Sequence, residues 1–97
     1  MRYEIVLTPE AVENLRQLSA RDASTIRDAI ESHLRFEPTK ESKSRIKRLQ
    51  NLRQPQYRLR VNEHRVYYDI AAEQVWVLAV IPKSLAAQWL GEWSVEP

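Results

Sequence analysis

The 97-residue chain has no cysteine and one glycine, Gly91, and none of its apolar runs approaches the length of a membrane span. Without thiols there is neither a disulfide framework nor a thiolate metal site, which fits an intracellular protein. One glycine excludes a Walker loop and a dinucleotide fingerprint, because both bring backbone close to phosphates through several glycines. A bilayer-crossing helix needs about 20 apolar residues, and the opening Met1-Arg2-Tyr3-Glu4 does not begin a secretory signal. The expectation is a soluble cytoplasmic protein, not bound to membranes and without a cofactor. No metal site is expected either, since His33 and His64 stand far apart with no ligand spacing. The length suits a single domain over residues 1–97 with one small core, residues 91–97 forming a tail that can be flexible.

Positive charge is present in quantity and concentrated. The net charge is only +2, yet ten of the fifteen basic residues fall between Arg35 and Arg65, against three acids, Glu37, Glu41 and Glu63. Such a block is the electrostatic footprint of a protein that binds a polyanion, because each neutralised phosphate releases condensed counterions. For Lys40 to Arg48 taken alone, a solvated loop is the plainer reading.

The stretch Tyr57 to Ile70, YRLRVNEHRVYYDI, fixes part of that charge on a surface. Strand side chains alternate, so Tyr57, Leu59 and Val61 face one way and Arg58 and Arg60 the other. A two-residue turn at Glu63-His64 opposes Val61 to Val66, Arg60 to Tyr67 and Leu59 to Tyr68. Arg58, Arg60, Arg65 and Tyr67 then share the face away from the core, and a one-residue slip would bury Arg65 beside Val61. Glu63-His64 is not a preferred hairpin dipeptide, and a longer loop with Asn62 in a left-handed conformation is the alternative.

The rest of the chain reads as a compact α+β module. Tyr3 to Leu7 predicts a strand, and Thr8-Pro9 predicts a capped helix start with Val12, Leu15 and Leu18 as its buried stripe. Ser19 with Asp22 opens a second helix carrying Ala23, Ile26, Ile30 and Leu34. Residues 37 to 56 form a polar connector, irregular or briefly helical, whose Ile46, Leu49 and Leu52 can reach the core. Val75 to Ile81 is a nearly continuous apolar strand, expected in the middle of the sheet with Trp76 in the core. Ser84 can cap a short helix from Leu85 to Leu90 that Gly91 stops. The expected order is β-α-α-β-β-β-α, a mainly antiparallel twisted sheet with a helical hairpin on one side and a short C-terminal helix.

This order, with YRLRVNEHRVYYDI followed by VWVLAVIPK, resembles the RelE/ParE superfamily of toxins from toxin–antitoxin modules, over Tyr3 to about Leu90. The resemblance implies either a RelE-type toxin, a metal-independent endoribonuclease that cuts mRNA on the ribosome, or a ParE-type inhibitor of DNA gyrase. A non-toxic relative that only binds an antitoxin is a third reading. In each case it implies a cognate antitoxin as partner.

Carried over residue by residue, the RelE pattern implies Arg58, Arg60 and Arg65 as the catalytic cations. Fixed guanidiniums stabilise the charge that builds on phosphorus when a ribose 2′-hydroxyl attacks. Lys83 is the nearest match to a further basic residue after the last strand. Trp89 is the nearest match to a C-terminal tyrosine, able to stack on a base but with no proton to move, or else a plain core contact. Lys43, Lys47, Arg48 and Arg53 are expected to hold ribosomal RNA by charge, and Tyr67 to stack or to donate to a phosphate. His64 is either a solvated turn residue or a general base; His33 reads as structural, and Trp93 as a tail residue ordered by a partner.

Overall fold

A computed structural model describes residues 1–94. In chain order the elements are β1 (Glu4–Leu7), α1 (Pro9–Arg16), α2 (Ala20–Leu34), β2 (Ile46–Arg48), β3 (Tyr57–Val61), β4 (His64–Ala71) and β5 (Gln74–Pro82). After a 3-10 turn at Lys83–Leu85 comes α3 (Ala86–Trp93). The five strands form one sheet in the order β1-β5-β4-β3-β2, antiparallel except for the β1–β5 pair. The α+β expectation holds, with one strand more than the sequence pattern indicated.

Two apolar clusters cover the two faces of the sheet. On one, Leu15 of α1 and Ile26, Ile30 and Leu34 of α2 pack on Leu59, Val66, Tyr68, Val75 and Val77. On the other, Trp89, Leu90 and Ala86 of α3 cover Tyr67, Ala79 and Ile81. The α2 stripe is the one its spacing predicts. In α1 the buried pair is Ala11 and Leu15 and Val12 is half-buried; Leu18, also half-buried, lies beyond the helix end.

Local chemistry explains where the elements begin. Thr8 caps α1 by accepting the Ala11 N–H at 3.2 Å, and Ser19 caps α2 by accepting that of Asp22 at 3.1 Å. β1 ends at Leu7, opposite Val77, so among the described residues the rest of β5 has no strand on that side. Side chains take over there: the Thr8 hydroxyl donates to Leu78 O (2.9 Å), and Asn14 Oδ1 accepts the Val80 N–H (2.9 Å). Replacing Asn14 by Leu leaves that donor without an acceptor. The expected cost is about 1–2 kcal/mol, a fall in Tm of about 4–8 °C for each kcal/mol in a domain of this size, to be read by thermal unfolding.

Several expectations are corrected. The hairpin turn is Asn62-Glu63, with Asn62 at φ 51°, so Arg60 pairs with Arg65 and Arg58 with Tyr67. Asparagine tolerates the left-handed conformation, and the pairing moves by two residues, which preserves every face. The connector contains β2, paired with β3. Its Ile46 joins the core, and Leu49 packs beneath α3. The central strand is β4, not β5. Trp76 is 37 % exposed rather than in the core. Helix α3 runs through Gly91 to Trp93, so Gly91 does not stop it and Trp93 is helical; Ser84 lies in the 3-10 turn and makes no side-chain cap. The remainder of the tail, 95–97, lies outside the described residues.

Candidate nucleic-acid interface

The antiparallel register assembles the cations. Because Lys47 pairs with Arg58, Arg58 with Tyr67, and Arg60 with Arg65, all five side chains issue from the α3 face of the sheet. Lys47 and Arg60 are exposed and Arg58 is half-buried. None of the ion pairs among the described residues neutralises any of these four cations. The Arg58 Nε is buried and has no hydrogen-bond partner. A buried guanidinium nitrogen without an acceptor is costly, and this one is closed to solvent, so an anion meets Arg58 through the exposed part of its half-buried side chain.

Arg65 differs from its neighbours. It is only 5 % exposed, which corrects its expected place outside the core, and its Nη1 donates to the carbonyls of Asn62 (3.0 Å) and His64 (2.9 Å). Burial, then repulsion by Arg60 and Arg58, lowers its pKa from the ordinary arginine value. Arg65 therefore braces the hairpin turn and contributes positive potential from below. Replacing it by methionine is expected to lower stability by about 1–3 kcal/mol, since two turn carbonyls lose a charged donor; Arg60→Met, at an exposed site, should stay within about 0.5 kcal/mol of the parent. Chemical denaturation of the two variants separates these outcomes.

The aromatic side chains are already engaged with one another. Tyr67 is 1 % exposed. Trp89 stacks with Tyr67 (centroids 4.8 Å apart) and with Trp93 (5.1 Å), and its Nε1 donates to Glu10 Oε2 at 2.8 Å. The Trp89 ring thus takes the core-contact alternative and pins α3 to the sheet and to α1. Burial raises the pKa of the Tyr67 phenol, with Arg58 and Arg65 opposing, so near neutral pH it is protonated and can act only as a donor or weak acceptor.

The remaining predicted residues are scattered. Arg48 pairs with Tyr57, on the α2 side of the sheet, and its guanidinium lies 5.0 Å from the centroid of that ring, which is stacked on Tyr68. It is opposite in face to Lys47. Lys43 and Arg53 are exposed on the loops before and after β2. Lys83 lies at the turn end of the sheet, where its N–H donates to Glu63 O at 2.7 Å. His64 begins β4 and pairs with Val61, so it faces α2, away from Arg65, and borders a small cleft with Asp22, Thr25 and Ile26. A base there cannot reach a phosphate held by Arg58.

Two features escaped the sequence reading. One is the strand that carries Lys47 to Arg58; its signal was the apolar Ile46 between charged neighbours, in a run too short to register. The other is Asp69, on the same face, 8 % exposed, which accepts the Gln56 N–H at 2.7 Å and a Gln54 amide N–H. These bonds tie the loop before β3 to the central strand.

A family model described as ParE toxin of type II toxin-antitoxin system, parDE, matches residues 5–85. No curated protein sequence matches the chain. Among solved structures the chain is similar to the toxin–antitoxin complex RelBE2 of Mycobacterium tuberculosis, at TM-score 0.70 and 22 % identity over 84 % of this chain and 99 % of that one. It is similar to the archaeal RelE-RelB complex of Pyrococcus horikoshii, at TM-score 0.64 and 22 % identity, covering 86 % and 97 %. The YoeB dimer of Staphylococcus aureus follows at TM-score 0.62 and 21 % identity, covering 84 % and 97 %. At such identities the likeness is one of fold.

Proposed function

Because the chain belongs to the ParE toxin family of type II toxin–antitoxin systems, we propose that it is a toxin that attacks RNA, holding the scissile phosphate with Lys47, Arg58 and Arg60. The observation that carries this reading is the clustering of exposed Lys47 and Arg60 with half-buried Arg58 on one face of the sheet, none of them neutralised by an ion pair among the described residues. In the proposed reaction the ribose 2′-oxygen forms a bond to the adjacent phosphorus and the bond to the 5′-oxygen breaks. Charge grows on the non-bridging oxygens, where exposed Lys47 and Arg60 and the half-buried Arg58 guanidinium stabilise it. Arg65 raises the potential beneath them.

Among the described residues there is no evident base for the 2′-hydroxyl proton. Tyr67 is protonated, His64 faces away, and Asp69 is buried and accepts two hydrogen bonds. The proton must pass to the substrate's surroundings, which is why this reading includes dependence on the ribosome. The same shortage of proton-moving groups favours a second reading, a gyrase inhibitor that binds without chemistry.

Among the described residues no helix is long and apolar enough to cross a membrane, and the proposed place of action is the cytoplasm. The solved RelE relatives are complexes with RelB; here the proposed partner is an acidic antitoxin segment that covers the cationic face. Purified protein assayed in parallel on translating ribosomes with mRNA and on gyrase with relaxed plasmid decides between the readings. Cleavage within the ribosome-bound message without loss of supercoiling supports the nuclease. The reverse assigns the protein to gyrase.

A further inference from the structure

We infer that Trp76 forms a nucleobase-stacking subsite on the cationic face, an inference that rests on the RNA-directed reading above. Register places it there: Trp76 pairs with Asp69, which stands two residues from Tyr67 on β4, and Tyr67 pairs with Arg58. Two strand spacings and two residues of rise put the Trp76 and Arg58 Cα atoms roughly 12 Å apart. A short stretch of single-stranded RNA spans that gap.

The indole is 37 % exposed and belongs to neither apolar cluster. Its orientation is nonetheless held, since Nε1 donates to Gln74 Oε1 at 3.0 Å and the Gln74 Nε2 donates to Glu4 Oε1 at 2.8 Å. An aromatic plate held before any ligand arrives loses less entropy on binding than a free one.

The surroundings favour a base over a protein side chain. A protein hot spot is sealed from water by a ring of contacts around a desolvated pocket, whereas Trp76 has Gln74, Asp69 and the Glu4 carboxylate nearby and one apolar cross-strand partner, Val6. Base stacking needs only the π-face and tolerates a polar rim. The two carboxylates repel phosphate, so the base approaches Trp76 while the backbone stays with Lys47, Arg58 and Arg60.

The test uses the full chain, a short single-stranded RNA, and a series of that RNA with one nucleotide at a time made abasic. The parent protein should lose affinity at one position of the series. Trp76→Ala should bind the intact RNA about 5- to 140-fold more weakly and lose that positional response, Trp76→Phe should retain most of both, and all three should melt alike. Should Trp76→Ala bind the whole series as the parent does while Arg58→Ala binds weakly, the subsite is overturned and the phosphate reading stands. A parent protein that binds none of the RNAs overturns both. Loss of antitoxin binding by Trp76→Ala with RNA binding intact assigns the ring to a protein partner and also overturns the subsite.

Discussion

Replacing Arg58 by alanine is expected to slow RNA cleavage by about 100- to 1,000-fold, the usual effect of removing one donor aimed at transition-state charge. Stability should change by less than about 1 kcal/mol, because the substitution also removes a buried nitrogen that has no acceptor in the free protein. Arg58→Lys should recover only part of the rate, since an ammonium keeps the charge but not the planar fork of donors. Cleavage rates and melting curves of the two variants check this together. A well-folded Arg58→Ala protein that cleaves at the parental rate removes Arg58 from the site.

Trp89→Ala should have the largest effect on folding. The variant loses the stacking with Tyr67 and Trp93, the hydrogen bond to Glu10 and the cover over Ala79 and Ile81. For a half-buried tryptophan the expected loss is about 2–4 kcal/mol, a fall in Tm of about 8–30 °C. Trp89→Phe keeps an aromatic ring but drops the indole N–H, and should cost about 1 kcal/mol. If Trp89 served a base instead, the alanine variant would melt like the parent and lose only activity.

The contrast between Arg58 and Arg65 shows how far the sequence could be read. Alternation alone identified the shared face, and a two-residue error in register left it unchanged because side-chain direction repeats every two residues. What alternation cannot give is depth. Arg65 sits against the hairpin turn and pairs with Ile81, which α3 covers, so a residue read as exposed is buried, with its donors turned to backbone carbonyls. Trp76 shows the opposite error: a continuous apolar run suggested burial on both faces, but α3 covers Tyr67, Ala79 and Ile81 and not the Trp76 position. β2 was missed because three residues carry little periodicity, and its strand state is set by pairing with β3. Helix caps at Thr8 and Ser19 were legible because their chemistry is local.

The central claim is that Lys47, Arg58 and Arg60 contact RNA phosphates, and the salt dependence of RNA affinity tests it most directly. For single-stranded RNA the slope of log K against log salt should fall in magnitude by about 0.7 for each phosphate contact removed. The account predicts that step for alanine at each of these three positions and none for alanine at Arg48, which lies on the opposite face of the sheet. Equal slopes for the parent and the Lys47, Arg58 and Arg60 variants would contradict it.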